Sequence, residues 1–252
     1  MGIFSLANDR AIVTGGGSGL GAAVAGCLVA AGAKVVIGGR RESVLAETCE
    51  RLGERASYVV HDVTDTSAAD RLVGAAAERN GGPATILVNN AGIHLKKRAI
   101  DTTGEDYRQL MDTHVLGAAG LARAVAPGMF EAGGGSVVFV TSMAAMFGIP
   151  EVAAYTAAKS AVAGLVRSLA VEWSSRGVRV NAVAPGWIET PMSRGALDAD
   201  PGRKERVLLR TPMGRLGEPA DVGWAVVYLC SREAKFVTGQ QLAVDGGAGI
   251  GF

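Results

Sequence analysis

The chain has 252 residues with 25 Lys and Arg against 24 Asp and Glu, a formal net charge of +1. That balance, with no run of five like charges, argues against a nucleic-acid binder and a polybasic membrane anchor and leaves small-molecule chemistry. With 48% apolar residues, 36 glycines and few aromatics (Phe 6, Tyr 4, Trp 3), the length suits one large domain that folds without disulfides.

In chain order, β-branched runs at 11–14, 34–37, 57–60, 86–89, 136–141, 179–184 and 241–244 alternate with segments of helical length at 19–31, 42–52, 67–79, 105–131, 152–176 and 219–230. The pattern predicts an α/β fold: a doubly wound, seven-stranded parallel sheet with helices on both faces, Rossmann-like, forming a single domain over 1–252. Runs such as AKVVI and SVVFV are apolar at consecutive positions, as strands covered on both faces require. The uncharged stretch 11–33 is rich in Gly and Ala and broken by a glycine cluster, which suits a buried strand, turn and helix rather than a membrane span. The irregular stretch 185–217, which has room for short helices, is read as a substrate lid near 187–216. Cys27, Cys49 and Cys230 lie outside any CxxC spacing and are expected to be buried free thiols. The amino end, MGIFSLANDR, lacks a basic segment followed by an apolar one, so a cytoplasmic protein is expected.

The first strand runs into Thr14-Gly15-Gly16-Gly17-Ser18-Gly19-Leu20-Gly21. These glycines bring backbone N–H groups and a helix N-terminus to the place where a dinucleotide's pyrophosphate would rest. The GK[ST] ending of an ATP-binding loop is missing. At the end of the second strand, where an NAD-preferring protein would carry an acid, stand Gly38 and Gly39, followed by Arg40 and Arg41. Two guanidinium groups with no carboxylate nearby favour NADP, with NAD as the alternative; the competing reading has both arginines merely solvating a helix start. At the end of the third strand, Asp62 either accepts from adenine N6 or caps the helix beginning near Thr66.

Tyr155 and Lys159 are four residues apart on a predicted helix and so share one face. A tyrosinate at neutral pH requires a stabilisation of roughly 4 kcal/mol. One ammonium at about 4 Å supplies that order at an effective dielectric near 20, which makes the tyrosine an acid for carbonyl reduction and a base for alcohol oxidation. Ser142, after the fifth strand, stands at the carboxyl edge of the sheet and can hydrogen-bond a substrate oxygen.

With these residues in place, the chain resembles the short-chain dehydrogenase/reductase family, in its small single-domain branch, from about Leu6 to Gly247. The matching elements are Thr14-Gly15-xxx-Gly19-x-Gly21, Asn89-Asn90-Ala91-Gly92, Ser142, Tyr155-xxx-Lys159, Pro185-Gly186 with Thr190, Val237-Thr238-Gly239-Gln240 and Asp245-Gly246-Gly247. The resemblance implies that Gly15, Gly17, Ser18, Gly19 and Leu20 line the cofactor phosphates and that Asp62 and Val63 meet the adenine. It further implies that Asn90, Ala91 and Gly92 flank the adenine ribose. Tyr155 and Lys159 would reach the nicotinamide ribose, and Pro185, Gly186, Ile188 and Thr190 the nicotinamide itself. One position departs from the family: its usual Asn, which helps hold a water linking the lysine to solvent, is His114 here. This histidine either takes part in that relay or packs within its helix. His61 and His94 lack ligand spacing and are expected at surface or loop positions, and no metal is implied.

The resemblance extends to 3-oxoacyl carrier-protein reductases. The two arginines with which those enzymes dock their carrier would fall at Pro127 and Val171, so no carrier docking is expected. It also extends to sugar-acid dehydrogenases, through 89–93, 155–159 and Glu172-Trp173. The lid's Trp187, Met192, Leu197 and Met213, with Arg194, Arg203, Lys204, Arg206 and Arg210, suit an anionic substrate and a solvated loop equally. The expected activity is hydride transfer between NADP and an alcohol or ketone: a sugar acid, polyol or small hydroxy compound. A 3-oxoacyl thioester reductase and a nucleotide-binding regulator without turnover are the alternatives. An epimerase or dehydratase of the extended relatives would carry TGxxGxxG spacing. Relatives are commonly homotetramers, and Ala118, Ala119, Ala122, Ala161 and Ala163 would permit close helix packing between copies.

Overall fold

The structure is a computed structural model that describes residues 2–190, 193–194 and 201–251. Seven strands, β1 (Arg10–Thr14), β2 (Lys34–Gly39), β3 (Ala56–Val60), β4 (Ile86–Asn89), β5 (Gly135–Val140), β6 (Val178–Pro185) and β7 (Gln241–Val244), form one sheet in the order β3-β2-β1-β4-β5-β6-β7. Every pairing is parallel, with Val13 level with Ile37 on one side and Val88 on the other. The helices are α1 (Gly19–Ala30), α2 (Glu42–Leu52), α3 (Ala69–Asn80), α4 (Gly104–Met111), α5 (Gly117–Glu131), α6 (Ala153–Trp173), α7 (Pro201–Arg210) and α8 (Pro219–Cys230).

Because successive strand residues point to opposite faces, a run such as Ala11-Ile12-Val13 feeds two cores. Ala11, Val13, Val35, Ile37 and Val88 pack with Val24 and Leu28 of α1 and Val222 and Val226 of α8. Ile12, Val36, Leu87 and Phe139 pack on the other side with Leu72, Leu121, Val125 and Val166. Both sets are almost wholly removed from solvent.

The sequence predicts one helix over 105–131. The structure instead has α4 and α5 on either side of a π-helical segment, Asp112–Leu116. Thr113 and His114, within it, are both buried. In the lid region the structure adds α7, while Met192, Leu197 and the side chain of Arg203 lie outside the described residues. Of the cysteines, Cys27 and Cys230 are buried free thiols and Cys49 is only half-buried. His61, expected at a surface or loop position, is in the loop that leaves β3 but is buried there, its backbone N–H donating to Gly39 O at 2.8 Å.

Candidate active site

From β1 the chain winds outward through β2 and β3 on one side and through β4 to β7 on the other. The loops leaving the carboxyl ends of β1 and β4 therefore part and open a crevice. Thr14, the last residue of β1, ties its two walls together. Its Oγ1 accepts from the N–H groups of Asn90 and Ala91 at 3.0 Å each, and Asn90 Nδ2 donates back to Thr14 O at 2.9 Å. The Asn90 amide is thus committed to joining the two loops. In the turn, Gly15 adopts a positive φ of 66°, and a Cβ on Gly21 would collide with the Gly15 carbonyl. Only glycines let α1 start so close to β1.

The Gly15 and Gly16 N–H groups are both taken by Gly38 O, at 2.8 and 3.3 Å. The donors facing the crevice therefore begin at Gly17. Ser18, the N-cap of α1, makes no side-chain cap, and the first turn holds no acid. The N-terminus of α1 keeps its orphan N–H groups and its positive partial charge. Arg41 Nη2 donates to Ser18 Oγ at 3.4 Å, beside that terminus.

Arg40 is not clear of acids, contrary to the sequence reading: Asp62 Oδ2 lies 3.8 Å from its Nη1, with both side chains well exposed. Such a pair is weak in water and leaves the guanidinium open to a stronger anion. Nor does Asp62 cap the helix near Thr66. Its Oδ1 accepts from the backbone N–H and hydroxyl of Thr64, at 3.0 and 2.8 Å. Those bonds, the backbone one foremost, hold its carboxyl below the ordinary carboxylate value. Val63, beside it, is half-buried against the start of α5, where a Cβ on Gly117 would meet Val63 O at 2.5 Å.

The reactive cluster forms where α6 crosses the end of β5. Ser142 accepts from Ala144 N–H at 3.1 Å and hydrogen-bonds Tyr155. Lys159, 5% exposed, donates to Val140 O at 2.7 Å, with Nζ 5.6 Å from the centre of the Tyr155 ring. Ser142, Tyr155 and Lys159 are therefore brought together as expected, but the electrostatics are not those expected. Burial raises the Tyr155 hydroxyl above its ordinary value against a lowering by Ser142, and burial depresses Lys159 to about 7. The ammonium does not by itself produce a tyrosinate; the tyrosine is held as a phenol, ready to donate.

Two imidazoles flank Tyr155. His114 stands edge-on at 5.5 Å between ring centres, its Nε2 2.8 Å from Ile93 O, and burial depresses it to about 3. A Cβ on Gly92 would strike this ring, so the glycine gives His114 its seat. His94, exposed on the loop after β4, lies 5.0 Å from the Tyr155 ring. Sequence reasoning missed this neighbour; its position two residues beyond Asn-Asn-Ala-Gly, at the carboxyl edge, was the available signal. The loop is pinned by Lys96–Glu151 at 3.0 Å, by Lys97 N–H donating to Glu151 O at 2.7 Å, and by Lys97 Nζ on Asp106 at 2.7 Å. The Lys97 bond, with those from Thr103, holds Asp106 at about 2.

At the opposite rim, Gly186 N–H donates to Val244 O at 3.0 Å as the chain leaves Pro185. Ile188 is buried and bridges to Gly217, and Thr190 N–H and Oγ1 are held by Ser193 Oγ at 2.8 and 3.2 Å. Arg210 lies over the Phe147 ring at 4.3 Å and donates to Ala248 O, while Arg194 pairs with Glu189 at 3.3 Å. The closing Val237-Thr238-Gly239-Gln240 segment is structural. Thr238 Oγ1 accepts from Val180 N–H and Asn181 Nδ2 donates to Val237 O, at 3.1 and 2.9 Å. Among the described residues no three His, Cys, Asp or Glu side chains could share a metal ion, and no helix is long and apolar enough to cross a membrane.

Comparison with known proteins agrees with this geometry. A family model described as enoyl-(acyl carrier protein) reductase matches residues 15–249. The chain is 40% identical over 249 residues to galactitol 2-dehydrogenase (L-tagatose-forming) of Cereibacter sphaeroides, covering 97% of this chain and 96% of that protein. It is 39% identical over 248 residues to gluconate 5-dehydrogenase of Gluconobacter oxydans, again covering 97% and 96%. A gluconate 5-dehydrogenase from Burkholderia cenocepacia, solved in complex with NADP and tartrate, superposes with a TM-score of 0.92 at 34% identity, covering 97% of this chain and 96% of that one. The chain belongs to the short-chain dehydrogenase/reductase family of nicotinamide-dependent oxidoreductases.

Proposed function

We propose that the protein is an NADP-preferring dehydrogenase/reductase acting on a secondary alcohol or ketone of a hydroxylated small molecule, a sugar acid or polyol. The carrying observation is the Ser142, Tyr155 and Lys159 cluster at the carboxyl edge of the sheet, across the crevice from an uncapped helix N-terminus. The residues fit a dinucleotide phosphate: the N–H groups of Gly17, Ser18, Gly19 and Leu20 meet the pyrophosphate, and Arg40 and Arg41 take the 2′-phosphate. Asp62 and Val63 would border the adenine, and Asn90, Ala91 and Gly92 its ribose. Pro185, Gly186, Ile188 and Thr190 would border the nicotinamide, which when bound supplies or accepts the hydride.

For reduction, Ser142 Oγ holds the carbonyl oxygen and the Tyr155 phenol donates its proton to that oxygen as negative charge builds there. Lys159 stabilises the phenolate left behind, and proton movement reverses for alcohol oxidation. A phenol raised by burial suits the donor role. The sugar-acid and polyol class is supported by the relatives described above and by polar groups at the rim, His94 and Arg210. The described part of the lid, α7 with the strap from Trp187 to Thr190, would cover the substrate.

The thioester-reductase alternative is favoured by the family model's description. It is disfavoured by Pro127 and Val171, which are exposed on α5 and α6 and uncharged. Exposed Val171, Trp224, Phe236, Leu242 and Ile250 support assembly, for which we propose a homotetramer. Ala118 and Ala122 are spent in the core and leave Ala119, Ala161 and Ala163 for packing between copies. The three free thiols support a cytoplasmic location.

The test follows NADPH absorbance with a panel of keto-sugar acids, ketoses and simple ketones. Turnover that is abolished in Tyr155→Phe supports the reading; tight NADPH binding with no turnover across the panel would replace it with the regulator.

A further inference from the structure

The glycine-rich turn after β1 rests against α2. Val44, Leu45 and Thr48 stand on one stripe of that helix. A Cβ on Gly17 would come within 3.2 Å of Leu45 Cδ2 and 3.4 Å of Val44 Cγ1, so the stripe lies directly on the turn. Thr48, 1% exposed, is the polar member of this apolar stripe. A threonine inside a helix can return its hydroxyl to the carbonyl one turn back. Thr48 instead donates across to Gly17 O at 2.8 Å, 31 residues away along the chain, while Arg51 Nη2 donates to Thr48 Oγ1 at 3.0 Å.

A hydroxyl has one proton and two lone pairs. With a guanidinium N–H on the oxygen of Thr48, its proton is left for Gly17 O, and the cation behind it strengthens that donation. The consequence falls on the next peptide group. In a trans peptide the C=O and N–H point in opposite directions, and the chain has no cis bond. Drawing the Gly17 carbonyl toward α2 therefore turns the Ser18 N–H away from α2. Ser18 itself is extended, at φ −159°, and the helix α1 begins at the residue after it. Glycine has no side chain with which to fix its own peptide, so the orientation of this one is set from outside.

We infer that Thr48 is a positioning residue for the dinucleotide: its hydroxyl, aligned by Arg51, clips the Gly17–Ser18 peptide so that the Ser18 N–H faces the pyrophosphate. The inference rests on the nucleotide reading above and deepens it. Thr48 touches no ligand. It acts by holding, before any nucleotide arrives, a donor that a free glycine turn would have to order on binding. The pyrophosphate is common to NADPH and NADH, so the clip serves both alike. Arg40 and Arg41, on the segment that leads into α2, carry the charge that tells the two cofactors apart.

The test is fluorescence titration of the full chain with NADPH and with NADH, which needs no turnover. Thr48→Val keeps the shape of the side chain and removes its hydroxyl. It should raise the Kd of both cofactors about fivefold, the net effect of one hydrogen bond, and leave their ratio unchanged. Thr48→Ser, which keeps the hydroxyl, should stay within about twofold of the wild type. Unchanged values in the Val variant, even with a lower denaturation midpoint, would overturn the proposal and leave Thr48 a packing residue. An equal loss in the Ser variant would overturn it too, as would a loss confined to NADPH, which would assign the clip to the 2′-phosphate. Should Thr48→Val not fold, Arg51→Met, at an exposed position, decides: a rise of about twofold or more for both cofactors is expected, and no rise counts against the assignment. A wild type that binds neither cofactor would instead sink the nucleotide reading itself.

Discussion

Replacing Lys159 by Met removes an ammonium that the fold has made unusually acidic, and the consequence is a pH-dependent stability difference. Burial lowers this lysine from its ordinary 10.5 to about 7. Between those values the unfolded chain keeps a proton that the folded chain has shed. Stability therefore rises with pH across the window, at up to about 1.4 kcal/mol per pH unit. Over pH 7 to 9.5 the wild type should gain on the order of 3 kcal/mol relative to Lys159→Met. The loss of the donor to Val140 O adds a constant offset of about 1–3 kcal/mol against the variant, which shifts the difference without bending it. Cys27, Cys230 and Tyr155, whose values burial raises, titrate in both chains, so subtraction largely removes them. The assay is chemical denaturation of both proteins at fixed concentration at several pH values. A difference that stays flat within about 0.5 kcal/mol over this range would mean that Lys159 keeps its ordinary value in the folded chain, and would refute the account of the cluster.

Three further outcomes are expected. Arg40→Asp should weaken NADPH binding by about ten- to a hundredfold, the loss of one charge-assisted contact, while NADH binding holds or improves; an unchanged ratio in fluorescence titration would remove Arg40 from the 2′-phosphate site. Gly92→Ala should drive a methyl into the His114 ring, at an overpacking cost of about 1–3 kcal/mol, seen as a lower denaturation midpoint; a variant as stable as wild type would mean the ring can move aside freely. His94→Ala, which clears the imidazole 5.0 Å from Tyr155, should raise KM for a hydroxylated substrate about fivefold, equivalent to one polar contact, with NADPH affinity unchanged. An equal KM would place substrate on the other side of the tyrosine.

The strands were legible because seven short runs rich in Val and Ile, some such as AKVVI and SVVFV apolar at consecutive positions, recur between helical lengths in a chain this rich in Gly and Ala. The reactive trio was legible for a related reason: i to i+4 spacing on a helix is a geometric statement in itself. What escaped the sequence were contacts between loops distant along the chain. Asp62 beside Arg40, Asn90 clasping Thr14 and His94 against Tyr155 all depend on which carboxyl ends become neighbours once the sheet is ordered, and no local period carries that information. The protonation state of Tyr155 escaped for another reason. A cation at helical spacing suggests a tyrosinate, but spacing says nothing of burial, which acts on the phenol and the ammonium alike and drives both toward their neutral forms. The π segment was hidden too, since 105–131 carries helical periodicity on either side of it and one extra residue within a single turn leaves that periodicity intact.

That extra residue is taken up within one wide turn, so the helix on either side keeps the phase of a single unbroken rod. Removing one position from 112–116 would let the rod close into continuous α-helix while α4, held by its Thr103 and Asp106 capping box, and α5, held by Gly117 against Val63, stay where they are. The lesion would be local, felt by the imidazole beside Tyr155. The same deletion in the turn after α5, where the N–H groups of Ala132, Gly133 and Gly134 bond Gly128 O, Phe130 O and Met129 O, would instead break the cap that joins α5 to β5.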